Sequence, residues 1–483
     1  MSKGILYAAA LLISATVFAQ VRSHRARQIF LLIASYALYL TWGAWFAAVL
    51  LLSTVVNFLL GSWLRQKASA GVLWLGIAFN LGLLATFKYL PPAAGAPPFL
   101  GQQWLAHIAL PLGISFWTFQ ALSYLFDLYR GEDLDPSLFE FALYMVFFPV
   151  AISGPICRIP EMLPQFRSEG LLRREDMTRG IMRMATGILM MQLGRLLGQG
   201  VLNAGGVNAG FDQLSQWSGP DVWCLAFSYG LQLFFDFAGY SHIAIGMARF
   251  VGFVVPENFA RPFASTTTSI FWTRWHMSLS FWIRDYVFLP LATLRRELWW
   301  RNLALVVSMV LFGLWHRATW LFVLWGCYQG VLLILHRQVQ QIQKKFGIHP
   351  SANIWTAVSW LATMVLVNLG WVLFRANSLP QARLMLSALL SPSTYLAHFV
   401  PASLYVLLAV LAVGYGAVLL VTTGLDRYSQ THPTRPDRPL LWAMAAERWP
   451  WVAPMYGFAL LIVVWLVTRA QSAGAQPFLY RNF

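Results

Sequence analysis

The chain reads as an all-α, polytopic integral membrane protein. Three observations carry this. Hydrophobic residues make up 58% of the 483 and charged residues only 11%, where a soluble domain carries roughly 45–50% and 25%. Mean hydropathy is +0.59. Apolar runs of about 20 residues, the length a helix needs to cross a bilayer, recur from end to end. The same totals exclude a soluble globular enzyme, a disordered chain, a fibrous protein and a disulfide scaffold. A transmembrane β-barrel is excluded because its strands would alternate polar and apolar residues.

The elements follow in order. Residues 4–20 form a first helix. Val17-Phe18-Ala19 imitates a signal-peptidase site, but apolar spans follow at once and an uncleaved helix is expected. The loop from Arg22 to Arg27 is basic and so cytoplasmic, which puts the N-terminus outside. Residues 29–64 make a hairpin around Thr41-Trp42-Gly43 that returns to Arg65 and Lys67. Residues 71–90 cross outward to a Pro/Ala/Gly loop at 91–98. Segments 104–129 and 137–156 both look like spans. Together they would leave the six arginines between Arg158 and Arg183 on the outer face, against the positive-inside rule. One of the two is therefore expected to be re-entrant, which is tolerated only where protein buries the backbone or a wet cavity meets it.

Further spans are expected near 180–201, 221–253, 302–336, 354–374, 400–421 and 451–469, giving about 11 or 12 helices that cross or enter the bilayer. Residues 379–390 read as an amphipathic surface helix with Leu379, Ala382, Leu386 and Leu389 on one face. Residues 424–450 read as a polar loop. No repeat or linker divides the chain, so one membrane domain over 1–483 is expected, with its motif-bearing core at about 104–382.

The net charge of +16 rests on 29 Arg and 5 Lys against 18 acidic residues. It fits cytoplasmic loops against anionic headgroups, or a path for phosphate-bearing donors. No basic patch lies on a polar domain, so nucleic acid is not an expected partner. Cys157, Cys224 and Cys327 are scattered through apolar sequence and suggest neither a disulfide framework nor a metal cluster. No metal site is expected, as HExxH is absent, and no G-x-S-x-G points to a serine triad.

Ionisable residues inside apolar sequence are costly and default to function or pairing. Phe271 to Pro290 holds Arg274, His276, Arg284 and Asp285. Read as one helix, it puts Trp272, Trp275, Leu279, Trp282, Ile283 and Tyr286 on one arc and Thr273, His276, Ser280 and Arg284 on the next, with Pro290 as the stop. This is a buried or re-entrant helix with a polar stripe facing a cavity, or an interfacial helix with its arginines on headgroups.

Arg301 to Arg337 is the second such stretch. Fourteen uncharged residues separate Arg301 from His316 and 18 lie between Arg317 and His336. The first run spans roughly 21 Å, short of the ~30 Å hydrocarbon core. With both arginines cytoplasmic, this is a hairpin with His316-Arg317 at its tip at membrane depth. The plain alternative is a tip that reaches the far interface. A third stretch, Tyr229 to Arg249, carries Asp236 among aromatics, and a buried Asp needs a partner; an arginine of the polar helix would serve.

Six stretches then resemble the membrane-bound O-acyltransferase (MBOAT) family, most closely its bacterial alginate O-acetylase branch. They are LPLGISFWTFQALSYLFDLYRGE (110–132), FFPVAISGPICRIPEMLPQF (147–166), LQLFFDFAGYSHIAIGMARFVGFVVPENFARPF (231–263), FWTRWHMSLSFWIRDYVFLPL (271–291), LFGLWHRATWLFVLWG (311–326) and GWVLFRANSLPQA (370–382). The terminal PFLYRNF also looks like the family's ending. Two departures stand out: Arg317 follows His316 where the family often has Gly, and LATLRRELWW (291–300) replaces a Gly-Gly turn.

The resemblance implies a ring of tilted helices with funnels from both sides of the bilayer meeting at a thin centre. It implies a catalytic His316 and a second site histidine at His276. Arg274, Arg284 and Ser280 are the expected donor contacts, and Asp236, Asp285, Trp275 and Asn258 the supporting residues. The implied reaction moves an acetyl group from a cytoplasmic thioester, acetyl-CoA or an acyl carrier, to hydroxyls of a secreted alginate-like polysaccharide, with no bound cofactor. A periplasmic SGNH-type transferase is the expected partner, and the bacterial inner membrane the expected location. O-acetylation of cellulose or peptidoglycan and D-alanylation of teichoic acid are alternatives in the same class. A transporter or flippase also needs polar groups at the midplane and broken helices, but the chain shows no inverted repeat. A structural scaffold would not need a histidine at membrane depth.

Overall fold

The computed structural model describes residues 3–89, 110–168, 172–201, 205–347 and 352–431. Among these, seven helices are long and apolar enough to cross a membrane: Ala44–Gln66, Ala70–Lys88, Gly219–Phe250, Leu298–His316, Trp320–Phe346, Ile354–Arg375 and Ala402–Val421. Leu6–Gln20 is apolar but shorter. The chain is a multi-pass, all-α membrane protein. The expected loop at 91–98, residues 104–109, the span at 451–469 and the PFLYRNF terminus lie outside the described residues.

The chain packs as two compact units. The first holds Met1–Gly187, Tyr240–Asn258 and His276–Arg301, and the second Ile188–Gly239, Phe259–Trp275 and Asn302–Phe483.

In the first unit, α1 (Lys3–Gln20), α2 (His24–Leu40), α3 (Ala44–Gln66) and α4 (Ala70–Lys88) form the expected hairpins, with Thr41-Trp42-Gly43 as a turn. Helix α5 (Ile114–Tyr129) is buried on all sides, Trp117, Ala121 and Leu125 having no measurable exposure. Its polar residues Thr118, Gln120, Ser123 and Asp127 are buried along with its apolar ones, and glycines on its neighbours admit the helix. A methyl group at Gly61 of α3 would lie 2.3 Å from the Tyr124 ring, and one at Gly76 of α4 would lie 2.4 Å from Leu125. The buried amides of Asn57 and Asn80 exchange hydrogen bonds of 3.1 and 2.7 Å, joining α3 to α4. Polar side chains commonly tie membrane helices in this way.

Among the described residues neither of the two middle segments is long and apolar enough to cross, α5 having 16 residues and α6 (Leu138–Val146) nine. Helix α6 opens on a capping box between Ser137 and Glu140 and stops after nine residues, about 14 Å and too short to cross. Irregular backbone follows as far as α7 (Ile159–Phe166), and Phe147, Phe148, Val150, Ala151 and Ile156 within it are buried. Protein burial is what such backbone requires at membrane depth.

Helix α8 (Arg174–Gln199) corrects one expectation. It covers the span foreseen at 180–201 but is not apolar enough to cross, because Arg174, Glu175, Asp176, Arg179 and Arg183 crowd its first half. Helices α9 (Val207–Asp212) and α10 (Gly219–Phe250) follow.

The segment 271–290 is not one helix. It divides into α11 (Thr268–Trp272), α12 (Met277–Ile283), a π-helical turn Arg284–Phe288 and α13 (Leu289–Thr293). The single-helix arcs therefore fail. Pro290 is also not a stop, since the backbone stays helical from α12 through the π-helical turn and past Pro290 to the end of α13.

Helices α14 (Leu298–His316), α15 (Trp320–Phe346) and α16 (Ala352–Arg375) come next, then α17 (Leu379–Leu390) and α18 (Ala402–Thr431). Helix α17 buries Ala382, Met385 and Ala388, while Leu379 stays 41% exposed, so its inner face is rotated from the one expected. Helix α18 extends to Thr431, making the start of the expected polar loop helical.

Candidate active site

In the second unit, α14 and α15 form a tight hairpin. Small residues let the two backbones meet. A methyl group at Gly313 would lie 2.3 Å from the Phe322 carbonyl oxygen, and one at Gly326 would lie 2.5 Å from the Met309 carbonyl oxygen. Helix α14 ends at His316, and residues 317–319 turn the chain into α15. The expected hairpin is present, but α14 begins at Leu298 and, with 19 residues, is long enough to cross, where the run after Arg301 had looked too short.

His316 is 5% exposed. Five aromatic rings surround it. Centroid distances are 4.7 Å to Trp315, 5.0 Å to Phe374, 5.4 Å to Phe312, 6.0 Å to Trp325 and 6.1 Å to Phe322. Phe312 stacks on it at 23°. Helix α16 supplies Phe374 and, one turn earlier, Trp371, which lies 5.1 Å from Trp275. Trp275 in turn stacks on Phe271 at 5.3 Å. Arg317, next to the histidine in sequence, is exposed.

In the first unit, His276 is buried with φ 44° and ψ 52°, a left-handed backbone. Such a conformation costs a non-glycine residue of order 1–3 kcal/mol and persists only where its surroundings impose it. Asn258 does so. Its carbonyl accepts the Met277 N–H at 2.9 Å. Its Oδ1 accepts the Ser278 hydroxyl at 2.6 Å and the Ser278 N–H at 3.3 Å, and its Nδ2 donates to Ser241 at 3.1 Å. The Ser278 hydroxyl also receives the Ile156 N–H at 3.0 Å. The N–H of Ser280 closes the first turn of α12 on the His276 carbonyl at 2.9 Å.

The other expected contacts divide. Asp285 bonds Arg158 at 2.9 Å and Arg284 at 2.7 Å. Burial alone would raise its carboxyl, but the bonds from Arg284 and Arg158 hold it below the usual carboxylate range. Arg284 is thus held by its sequence neighbour. Arg130 donates to the Asp285 carbonyl at 2.7 Å, and Tyr286 donates to Asp127 at 2.8 Å. Asp236 and Arg274 are half-buried in the second unit. Of the residues singled out in the sequence, the first unit brings together His276, Asn258 and Ser280, and the second holds His316 and Trp275.

Two residues of the second unit were missed. Gln329 and Asn368 are each 1% exposed. Both stand in apolar runs, and the test applied to charged groups would have found them had it included uncharged amides.

Residues 97–374 match the membrane-bound O-acyltransferase family, MBOAT. The chain is 32% identical over 485 residues to a probable alginate O-acetylase of Pseudomonas putida, covering 95% of each. It is 30% identical over 391 residues to a peptidoglycan O-acetyltransferase of Helicobacter pylori, covering 74% of this chain and 72% of the other. It is 31% identical over 285 residues to a teichoic acid D-alanyltransferase of Streptococcus thermophilus, covering 54% and 68%.

Proposed function

Since the chain belongs to the membrane-bound O-acyltransferase family and is an acyltransferase, we propose that it moves acetyl groups from a cytoplasmic thioester, acetyl-CoA, toward hydroxyls of a secreted alginate-like polysaccharide, with His316 as general base. One observation supports this most: a histidine 5% exposed inside an aromatic shell, at the tip of a membrane hairpin. A hydroxyl is a weak nucleophile at neutral pH and needs a base. The imidazole takes the hydroxyl proton as the oxygen attacks the thioester carbonyl. The ester C–O bond forms, the C–S bond breaks, and the leaving sulfur takes the proton from the imidazolium.

His276 orients the carbonyl or steadies the oxyanion. Its backbone, held off the common conformations by Asn258, is the kind of strain that gathers at functional sites. The basic stretches 158–183 and 295–301, with Arg274, Arg284 and Ser280, hold the donor's phosphates. The acetyl group passes onward to a periplasmic SGNH-type transferase, and the protein resides in the bacterial inner membrane. A peptidoglycan acceptor is the second reading, favoured by the likeness to the Helicobacter pylori enzyme.

The test is thioester cleavage and acetyl transfer by detergent-solubilised full-length protein. His316→Ala should keep its thermal unfolding temperature and lose ~10²–10⁴-fold in rate. Wild-type rates in that variant would refute the role of His316. No cleavage by the wild type would favour a transporter.

A further inference from the structure

The first unit holds a cavity of about 680 Å³ between the start of α2, the end of α3 and the chain around α6, and His276 is not among the residues that line it. Arg25, Arg65 and Arg167 line it together with Asp135 and Glu140. Arg65 pairs with Asp135, and Arg167 donates to both oxygens of Glu140 at 2.7 and 2.9 Å. Arg25 is exposed, and its guanidinium has no ion-pair partner among the described residues. With His24 neutral, the lining keeps one positive charge in excess. The walls are tied to each other. The Gln28 amide donates to the Phe166 carbonyl at 3.0 Å, and Arg167 donates to the Asp135 carbonyl at 2.7 Å. The cavity is therefore preformed, as small-molecule sites usually are, and of their usual size.

Helix α3 sets the depth of this cavity in the membrane. The helix spans Ala44–Gln66. By the positive-inside rule its end at Arg65 and Lys67 is cytoplasmic, as is the loop from Arg22 to Arg27. Phe58 also lines the cavity. It stands seven residues before Arg65, which is two turns, so the two share a face and the phenyl ring lies about 10 Å deeper. Trp63, 55% exposed on the same helix, marks the headgroup level. One wall thus runs from guanidinium groups at the water boundary to a phenyl ring at the depth of the hydrocarbon.

We propose that this cavity binds the phosphodiester headgroup of an anionic phospholipid of the cytoplasmic leaflet. Arg25 and Arg65 take the phosphate, Asp135 accepts a headgroup hydroxyl, and Phe58 lies against an acyl chain. Arg167 serves as a wall, since Glu140 already holds it. Charge is the first argument for this ligand. A phosphodiester carries one negative charge, which balances the excess, whereas a phosphomonoester or a nucleotide brings more beside Asp135 and Glu140. The mixed lining is the second. The Asp135 side chain is 82% exposed and pairs with Arg65 through one oxygen, which leaves the other to accept a hydroxyl. Depth is the third, because a soluble anion would leave the Phe58 end unfilled. Basic pockets between membrane helices on the cytoplasmic side bind such headgroups. This inference stands apart from the acyl-transfer reading.

The experiment uses delipidated full-length protein in detergent. The probes are dioleoylphosphatidylglycerol, dioleoylphosphatidylcholine, glycerophosphoglycerol, inorganic phosphate and coenzyme A. Native mass spectrometry measures bound lipid, and thermal unfolding reads its effect. Phosphatidylglycerol should bind most tightly and raise the unfolding temperature most. Arg25→Gln, at an exposed position, should weaken that binding about fivefold, and Arg25→Gln with Arg65→Gln about 20-fold. Should the double variant fail to fold, Arg25→Gln alone carries the test. Lys344→Gln, which removes an exposed cation of α15, should leave the binding unchanged. An equal loss in Lys344→Gln would mean general attraction to a basic protein and overturn the inference, as would equal affinity for phosphatidylcholine. Glycerophosphoglycerol or phosphate raising the unfolding temperature as much as the lipid would assign the cavity to a soluble anion. Displacement of the lipid by coenzyme A would assign it to the acyl donor. Either result overturns the lipid site.

Discussion

The Ser278 hydroxyl donates to Asn258 Oδ1 at 2.6 Å, two residues beyond the left-handed His276. The two residues are 20 positions apart in sequence. Through this bond, and the Met277 N–H on the Asn258 carbonyl, one asparagine dictates the backbone on which the second site histidine stands. Asn258→Leu should leave the Ser278 donors and Ser241 without their partner and destabilise the protein by about 1–3 kcal/mol, measured by thermal unfolding in detergent. A stability equal to wild type would show that the asparagine holds nothing.

The backbone at His276 predicts an inversion of the usual ranking of substitutions. With φ at 44°, glycine adopts the conformation freely and alanine does not. His276→Gly should therefore be the more stable of the two variants, by about 1 kcal/mol. Both should be impaired in acetyl transfer. Equal unfolding temperatures would mean the left-handed conformation carries no strain.

Glu140 predicts an acid-sensitive contribution to stability. Its carboxylate receives Arg167 at 2.7 Å and the Ser137 N–H at 2.8 Å, and these bonds, Arg167 foremost, lower its pKa from 4.5 to about 2. A folded pKa below the unfolded one gives stability that is complete above the unfolded value and fades as pH falls toward the folded one. Between about pH 4.5 and 2 the wild type should lose stability faster than Glu140→Gln. Parallel curves for the two proteins would count against the ion pair.

Gly313 predicts a coupling between hairpin packing and activity. Gly313→Ala would push a methyl group to 2.3 Å from the Phe322 carbonyl oxygen. Overpacking of this kind costs typically 1–3 kcal/mol, and here it parts α14 from α15 three residues before His316. The unfolding temperature and the rate of thioester cleavage should both fall. Gly82→Ala, with open space around its Cβ, serves as the control, and a drop of equal size there would assign the effect to helix substitution in general.

Composition alone made this a membrane protein, because hydropathy is a sum over the chain and needs no neighbours. Local spacing was enough for the α14–α15 hairpin, because two apolar runs meet at a histidine and an arginine, but it misjudged the length of the first run: α14 starts at Leu298 and is long enough to cross. The stretch from Phe271 to Pro290 was different. Its pattern is compatible with one continuous helix, and nothing local announces that the chain breaks at His276.

Polarity thus singled out His276 and His316 in the linear sequence, since an imidazole among apolar residues is conspicuous wherever it folds. Only the tertiary structure decided the conformation of His276, the rotation of α17 and the burial of Gln329 and Asn368. The reason is that each depends on contacts between residues far apart along the chain. The left-handed backbone at 276 exists because Asn258 and Ile156 bond Ser278, and no periodicity within residues 271–290 encodes a partner that lies outside them.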